Sequence, residues 1–415
     1  MKIRSLTGFI DPGWPLMSDR ITSIADCLKA VRENLNEKGY DVQTLRLATP
    51  PPLEMEAVVP INERPDFARQ LEAECFVQGI DYVAMGPVLQ NDIEGFDVIT
   101  EILRTTESVF TSASFADVEN GLSLSMARSC AEVIQEVSTI SPDGFANLRF
   151  AALANVAPGS PFFPAAYHRG GSSALAIATE AADLAITALR DITSAQVASR
   201  ILIETIEGHA DVLSRTSRPI AAQFDVRFWG IDFSFAPFPE ELRSLGTAMK
   251  AFGVPSVGQV GSSTAAAFLA DCLDSAQFQR IGFCGLFFPV LEDFVLAQDA
   301  AEGSLTIKDL LLYATICGTG LDTIPLPGDI TLDALYAVLL DLGALALRHN
   351  KPLTARLMPI PGKQAGDQVH FDFAYFADSR VLKVDSGSLG GVLSAGGIID
   401  IKPRAAPNQS LNSTL

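Results

Sequence analysis

Strand-like and helix-like segments alternate along almost the whole chain, and this alternation restricts the fold more than any other feature of the sequence. Residues 2–10 read as a strand. A helix follows, capped by Ser18, with Ile21, Ile24, Leu28, Val31 and Leu35 on one face and Gly39 as its stop. Residues 41–49 alternate like a strand up to the run Pro50, Pro51, Pro52. The pattern continues with helices at 66–78, 97–105 and 121–137 and strands at 80–85, 107–112 and 145–155. Beyond a proline- and glycine-rich loop at 157–171 come helices at 173–190 and 194–215, a strand-like stretch at 220–235, and helices at 240–252 and 262–275. Helices at 292–302, 306–316 and 331–348 and strands at 353–360 and 368–376 complete the series. Strand, helix, strand is the unit of a parallel sheet, so the expectation is an α/β fold: a largely parallel sheet or barrel with helices outside. No composition break or long linker divides the chain, which implies a single domain over 1–402. The run after Lys402 lacks apolar periodicity and reads as a disordered tail, 403–415.

The composition supports that reading and narrows the partners. Hydrophobic residues make up 48% and charged residues 19%, enough apolar material for a large core. The net charge of −19, from 49 acidic against 30 basic residues, argues against non-specific binding to nucleic acid or to an anionic membrane, both of which need a basic surface. The most apolar windows, 174–189 and 332–347, carry Glu180, Asp183, Asp333 and Asp341 and are too short and too charged to span a bilayer. The N-terminus runs straight into a strand and does not read as a signal peptide, and the six cysteines form no CxxC pair and no cluster with zinc spacing. A reducing, cytoplasmic compartment is the expectation, with a homodimer as the default assembly.

Two glycine-punctuated segments, Ile281–Asp293 and Cys317–Asp329, carry cysteine, glycine and carboxylates at the ends of apolar runs. Buried carboxylates need partners, and glycine lets backbone approach a ligand, so these segments suit a site better than a core. Cys317 is a candidate nucleophile or ligand, with Gly318 and Gly320 giving room for substrate. Asp232 and Asp322 end apolar runs and are candidates for acid–base work or for a divalent metal such as Mg²⁺ or Ca²⁺. Asp293 and Asp329 read instead as helix caps. His168, in the 157–171 loop, is a candidate acid, base or ligand, and Arg356 a candidate partner for a carboxylate or phosphate. There is no Walker loop, no GxGxxG after the first strand, no GxSxG and no HExxH.

Five longer stretches have a familiar look: Asn147–Asn155 with Ser160–His168, Trp229–Pro239, Gly282–Asp293, Cys317–Asp329 and Pro352–Gly362. Together they resemble an uncharacterised bacterial and archaeal family, the domain of unknown function numbered 711, over roughly residues 2–400. The resemblance implies a barrel like that of pyruvate formate-lyase: two five-stranded parallel halves, antiparallel to each other, closing into ten strands with loops entering the centre. It implies no activity. Glycyl-radical enzymes of that fold carry an Arg-Val-x-Gly-Tyr-like motif near the C-terminus, and the closest run here, Val384–Gly391, has none. The resulting expectation is an enzyme acting on a small polar metabolite in a central pocket, by metal-assisted acid–base or thiol chemistry. The alternative is a non-catalytic metabolite sensor or oligomeric scaffold.

Overall fold

The computed structural model describes residues 1–316 and 318–404. In chain order the first half comprises β1 (Lys2–Phe9), α1 (Ser18–Glu37), β2 (Leu45–Ala48), α2 (Arg64–Val77), β3 (Tyr82–Ala84), α3 (Phe96–Thr105), β4 (Val109–Asp117), β5 (Gly121–Ser123), α4 (Leu124–Val137) and β6 (Phe150–Ala154). The second comprises β7 (Ala174–Glu180), α5 (Ala182–Leu189), α6 (Ala195–Gln223), β8 (Arg227–Asp232), α7 (Leu245–Phe252), α8 (Ser262–Ser275), α9 (Phe294–Ala301), α10 (Ile307–Ala314), β9 (Gly320–Pro327), α11 (Leu332–His349), β10 (Leu353–Ile360), β11 (Gln368–Val369), β12 (Ser379–Arg380) and β13 (Ile398–Ile399).

The expected α/β architecture is present, as an eleven-stranded mixed sheet in the order β8-β7-β1-β2-β3-β4-β6-β10-β9, with β5 and β13 attached beside β4. Within the path, β1, β2, β3, β4 and β6 are mutually parallel. So are β7 with β8 and β10 with β9, while β1/β7 and β6/β10 meet antiparallel. The path of named strands is open at β8 and β9. Between them runs the extended segment 279–290, which makes isolated parallel bridges to β8 or its continuation at Ile231–Arg280 and Phe235–Leu286, and to β9 at Pro289–Asp322.

Side-chain alternation explains which residues face the helices. On β2, Leu45 and Leu47 join the main core with Ile24, Leu28 and Phe67, whereas Ala48 packs on the opposite face with Phe9, Ala84, Phe110 and Phe163. On β10, Ala355 and Leu357 join the main core and Met358 packs elsewhere, with Leu148, Leu291 and Phe371. Arg46 and Arg356 alternate with those core residues, so their side chains emerge on the face away from the helices. The 157–171 loop packs on that same face: the Pro161 carbonyl accepts from Ser5 Oγ at 3.3 Å and from Thr7 Oγ1 at 3.1 Å.

Several boundaries differ from the sequence reading. The segment read as a helix at 173–190 is β7 followed by α5. Every residue of β7 is buried, so no alternation marks it, and its alanines imitate a helix. Helix α6 continues through Pro219 to Gln223, because Ser217 and Ala221 extend the buried stripe of Leu202, Ile206, Ala210 and Leu213. Strand β9 was hidden by Pro325 and Pro327, which argue against a strand in sequence yet sit in its ladder with β10. Ser18 is the first helical residue of α1 and Met17 holds the cap position without a side-chain bond. Of the segment read as a strand at 368–376, only Gln368–Val369 is extended in a ladder. The tail beyond 404 lies outside the described residues.

No helix of the described residues is long and apolar enough to cross a membrane.

Candidate functional site

A cavity of about 360 Å³ opens on the face of the sheet away from the helices. Its wall includes Arg46 from β2, Tyr82 from β3, Phe110 from β4, Asp322 from β9 and Arg356 from β10. Phe162 and Phe163 of the 157–171 loop line it, as do Phe287 and Glu292 from the 279–293 stretch and Phe373 and Tyr375. The aromatic wall is knitted together: Phe162 lies 4.4 Å from Phe287 and Phe163 lies 5.4 Å from Phe110, centroid to centroid. Phe145, also on the wall, packs edge-on against Phe373 at 5.0 Å.

An alternating chain of charges runs along one side. Arg356 donates through Nε to Asp322 Oδ1 at 2.6 Å and through a terminal nitrogen to Glu292 Oε1 at 2.7 Å. Arg4 stands 3.7 Å from Glu292 and 3.5 Å from Glu180, and Glu180 pairs in turn with Arg243. Arg4 also donates to the Pro237 carbonyl at 2.6 Å. Burial works against the Arg356 charge, but Asp322 and Glu292 together outweigh it and hold the guanidinium above its ordinary pKa. Burial pushes the Glu292 carboxyl up; Arg356 opposes this and the charge of Asp322 adds to it. A carboxyl so placed is nearer to proton exchange at neutral pH than an exposed glutamate.

Arg46 stands apart from this chain. Its Nε donates to Thr44 Oγ1 at 2.9 Å, and the guanidinium lies over the rings of Phe163 at 5.1 Å and Tyr82 at 5.6 Å. Among the described residues no carboxylate pairs with it. Burial, then the nearby Arg4 charge, bring its pKa down to about 10.

Asp322 and Arg356 thus come together in the cavity wall; the other candidates named from sequence are placed elsewhere. Asp232 is fully buried and does not line the cavity. Its oxygens accept from Ser234 Oγ at 2.6 Å, the Phe283 amide at 2.7 Å and the Cys284 amide at 2.8 Å, which pins the 282–285 turn to the end of β8. The expected metal pair Asp232 and Asp322 therefore does not form in the cavity, and among the described residues no group of three or more His, Cys, Asp or Glu is arranged to hold a metal ion. His168 is also fully buried, with its ring stacked on Trp229 at 5.5 Å and neither ring nitrogen in a well-formed hydrogen bond. Burial lowers its pKa, against a smaller upward pull from the Ser172 backbone. It does not line the cavity.

Gly320 has φ +91°, and a side chain there would meet the Thr354 backbone, so its glycine serves the close approach of β9 to β10. A side chain at Gly318 would stand 3.1 Å from the Phe283 carbonyl. Cys317 lies outside the described residues. Asp293 accepts from the amides of Val295 and Leu296 as the cap of α9, as sequence suggests, and from Ser244 and the Leu245 and Gly246 amides at the start of α7 as well. Helix α11 is capped by Thr331 rather than by Asp329. Arg46 is a cavity residue that sequence reading passed over, and a lone arginine between two core leucines was the available signal for it. Glu292 is among the carboxylates that end apolar runs in sequence, where it also reads as the opening of a helix.

Fold and cavity define an α/β protein with a small, aromatic-walled, charge-lined cavity on one face of a mixed sheet. The chain belongs to the family described as "Uncharacterised ACR (DUF711)", whose profile matches residues 1–378. It is similar to a UPF0210 protein of Pyrobaculum aerophilum, 30% identical over 410 residues that cover 92% of this chain and 90% of the relative. It is also similar to UPF0210 proteins of Clostridium perfringens and Lactobacillus delbrueckii subsp. bulgaricus, each 25% identical over 398 residues that cover 92% of this chain and 88% of the relative.

Proposed function

We propose that this chain is an enzyme acting on a small polar metabolite in the cavity, with Glu292 and Asp322 as its proton-transferring carboxylates and Arg356 holding both. The observation that carries the reading is the double contact of Arg356, at 2.6 Å to Asp322 and 2.7 Å to Glu292, inside a cavity whose wall carries eight aromatic residues. Two carboxylates in one low-dielectric wall, one with a raised pKa, are suited to giving and taking a proton from a bound ligand. The proposal departs from sequence expectation by using Glu292 in place of Asp232 and His168.

The same wall supports a barrel. We infer that the segment 279–290 acts as a tenth strand between β8 and β9. The Ile231 amide donates to the Gln279 carbonyl and the Ile281 amide to that of Ile231, the Phe235 amide donates to Gly285, and the Val290 amide to Asp322. With that segment counted, β7, β8, 279–290, β9 and β10 make a second parallel set of five beside β1, β2, β3, β4 and β6. This is the arrangement that resemblance to the pyruvate formate-lyase barrel implies, with the cavity inside the ring.

Solvent-exchange spectroscopy tests the enzymatic reading. The full chain is incubated in D₂O with a panel of small keto, hydroxy and amino acids, and proton NMR follows the hydrogen next to the carboxyl group. Deuterium uptake by a panel member is expected, with a loss of at least about tenfold in Glu292→Gln. Uptake that is equal in wild type, Glu292→Gln and Asp322→Asn sinks the assignment of roles. A second reading, ligand binding without chemistry, draws on Arg356 holding one oxygen of each carboxylate. It predicts saturable binding from the same panel and no exchange.

A further inference from the structure

The charges that line the cavity do not balance locally. Four arginines (Arg4, Arg46, Arg149 and Arg356) face three carboxylates (Glu107, Glu292 and Asp322), in a chain whose net charge is −19. Three of the four arginines are occupied. Arg356 and Arg4 belong to the ion-pair chain, and Arg149 donates to the carbonyls of Leu103, Thr106 and Val109. Arg46 is the one of the four with neither terminal nitrogen on a protein acceptor among the described residues, and none of its nitrogens is among the buried atoms sealed off without a partner. They are reachable from the cavity that Arg46 lines.

Two phenols stand with it. Tyr82 and Tyr375 line the same cavity and feel the Arg46 charge, and neither hydroxyl hydrogen-bonds to a described residue. The Arg46 guanidinium is held from one side by Thr44 and flanked by the Phe163 and Tyr82 rings, which fixes its plane without neutralising it. A partly desolvated guanidinium with no ion-pair partner of its own costs stability in the free protein, and this is the mark of a position that serves a ligand.

We propose that Arg46, with the hydroxyls of Tyr82 and Tyr375, forms a subsite for the carboxylate of a small monocarboxylic acid whose body is apolar, aryl or branched alkyl. The body lies among Phe110, Phe162, Phe163 and Phe373. A planar carboxylate matches the paired N–H groups of a guanidinium. One surplus positive charge, with neither a lysine nor a second free arginine in the wall, suits a monoanion better than a phosphate dianion. This subsite rests on the cavity being the ligand site and adds the class of ligand to it.

Isothermal titration of the full chain with three probes tests it: 3-phenylpropanoate, its neutral amide 3-phenylpropanamide, and phenyl phosphate. The acid is expected to bind at least about tenfold more tightly than the amide, a charge-assisted contact against a neutral one. Arg46→Gln is expected to erase that preference while the amide binds as before, and to melt at or above the wild-type temperature without ligand. A residue kept for packing alone would lower the melting temperature instead. The paired change Tyr82→Phe with Tyr375→Phe is expected to weaken the acid several-fold and spare the amide, and it carries the test if Arg46→Gln does not fold. Equal binding of acid and amide, or a preference that survives Arg46→Gln, overturns the subsite and leaves the cavity as a ligand site. Tighter binding of phenyl phosphate overturns the carboxylate assignment. Binding by none of the probes removes the cavity reading and the subsite together.

Discussion

Arg356 Nε meets Asp322 Oδ1 at 2.6 Å, and both residues are more than nine-tenths buried. The pair is useful for what happens when half of it is removed. With Arg356→Gln, Asp322 and Glu292 face each other across a buried wall without their shared cation. An orphaned buried charge of this kind costs about 3–5 kcal/mol. The expected loss at pH 7, read by urea unfolding, is in that range. It shrinks as pH falls, because protonation of Glu292, whose carboxyl burial already pushes up, relieves the repulsion. A loss below about 1 kcal/mol, independent of pH, would show that Glu292 carries no charge for Arg356 to balance.

Asp232 gives a pH dependence of definite sign. Burial pushes its carboxyl from 3.8 up to about 6, and the bonds from Ser234, Phe283 and Cys284 hold it back from rising further. The folded state therefore binds the proton more tightly than the unfolded chain does. The corresponding stability is fully present below about pH 4 and is lost as pH rises through about 6, a change of about 2–3 kcal/mol. Asp232→Asn has no such titration. The stability difference between wild type and Asp232→Asn, measured by urea unfolding at half-unit steps, is expected to move against the wild type across that window and to be flat above pH 7. A difference that is flat from pH 4 to 7 refutes it.

Asp293 ties two helix starts to one side chain. It accepts from Val295 and Leu296 in α9 and from Ser244, Leu245 and Gly246 at α7, and it is fully buried. Asp293→Ala strands several donors at once, so the expected cost is about 3–5 kcal/mol, above the roughly 1 kcal/mol of a single surface cap. Asp293→Asn keeps one acceptor oxygen and is expected to lose about half as much. Equal losses for the two variants would mean that the oxygens matter less than the packing.

What the sequence reveals and hides follows from where each signal sits. Amphipathic helices such as α1 announce themselves because one face touches solvent. Strand β7 does not, because burial on both faces removes the alternation that marks a strand. Strand β9 is masked by its two prolines and by Gly320, whose role is the approach to Thr354. At the cavity, Arg356 and Asp322 could be read from polarity inside apolar runs. The same rule also selected Asp232 and His168, which are buried away from the cavity: one fastens a turn and the other stacks on Trp229. A polar residue in an apolar run signals a partner, and one sequence does not say whether that partner is backbone, ring or ligand. Arg46 escaped because its partners lie on β3 and the 157–171 loop, far along the chain.

Thiol chemistry is the remaining expectation, and the cysteines divide cleanly for a test. Burial raises the thiols of Cys27, Cys75, Cys130 and Cys272, and burial together with the Asp232 charge pushes Cys284 up to about 12. At pH 8 a thiol with pKa near 12 is ionised to about one part in ten thousand, and the thiolate is the reactive form. Native Cys317→Ser protein treated briefly with iodoacetamide at pH 8 is therefore expected to take up almost no label, by intact-mass spectrometry, while the urea-unfolded variant takes up five. Wild type treated in the same way reads Cys317 alone: one rapid addition marks an activated thiol, and none removes Cys317 as a nucleophile. Labelling of Cys284 in the native variant would contradict the closed turn that Asp232 holds over it.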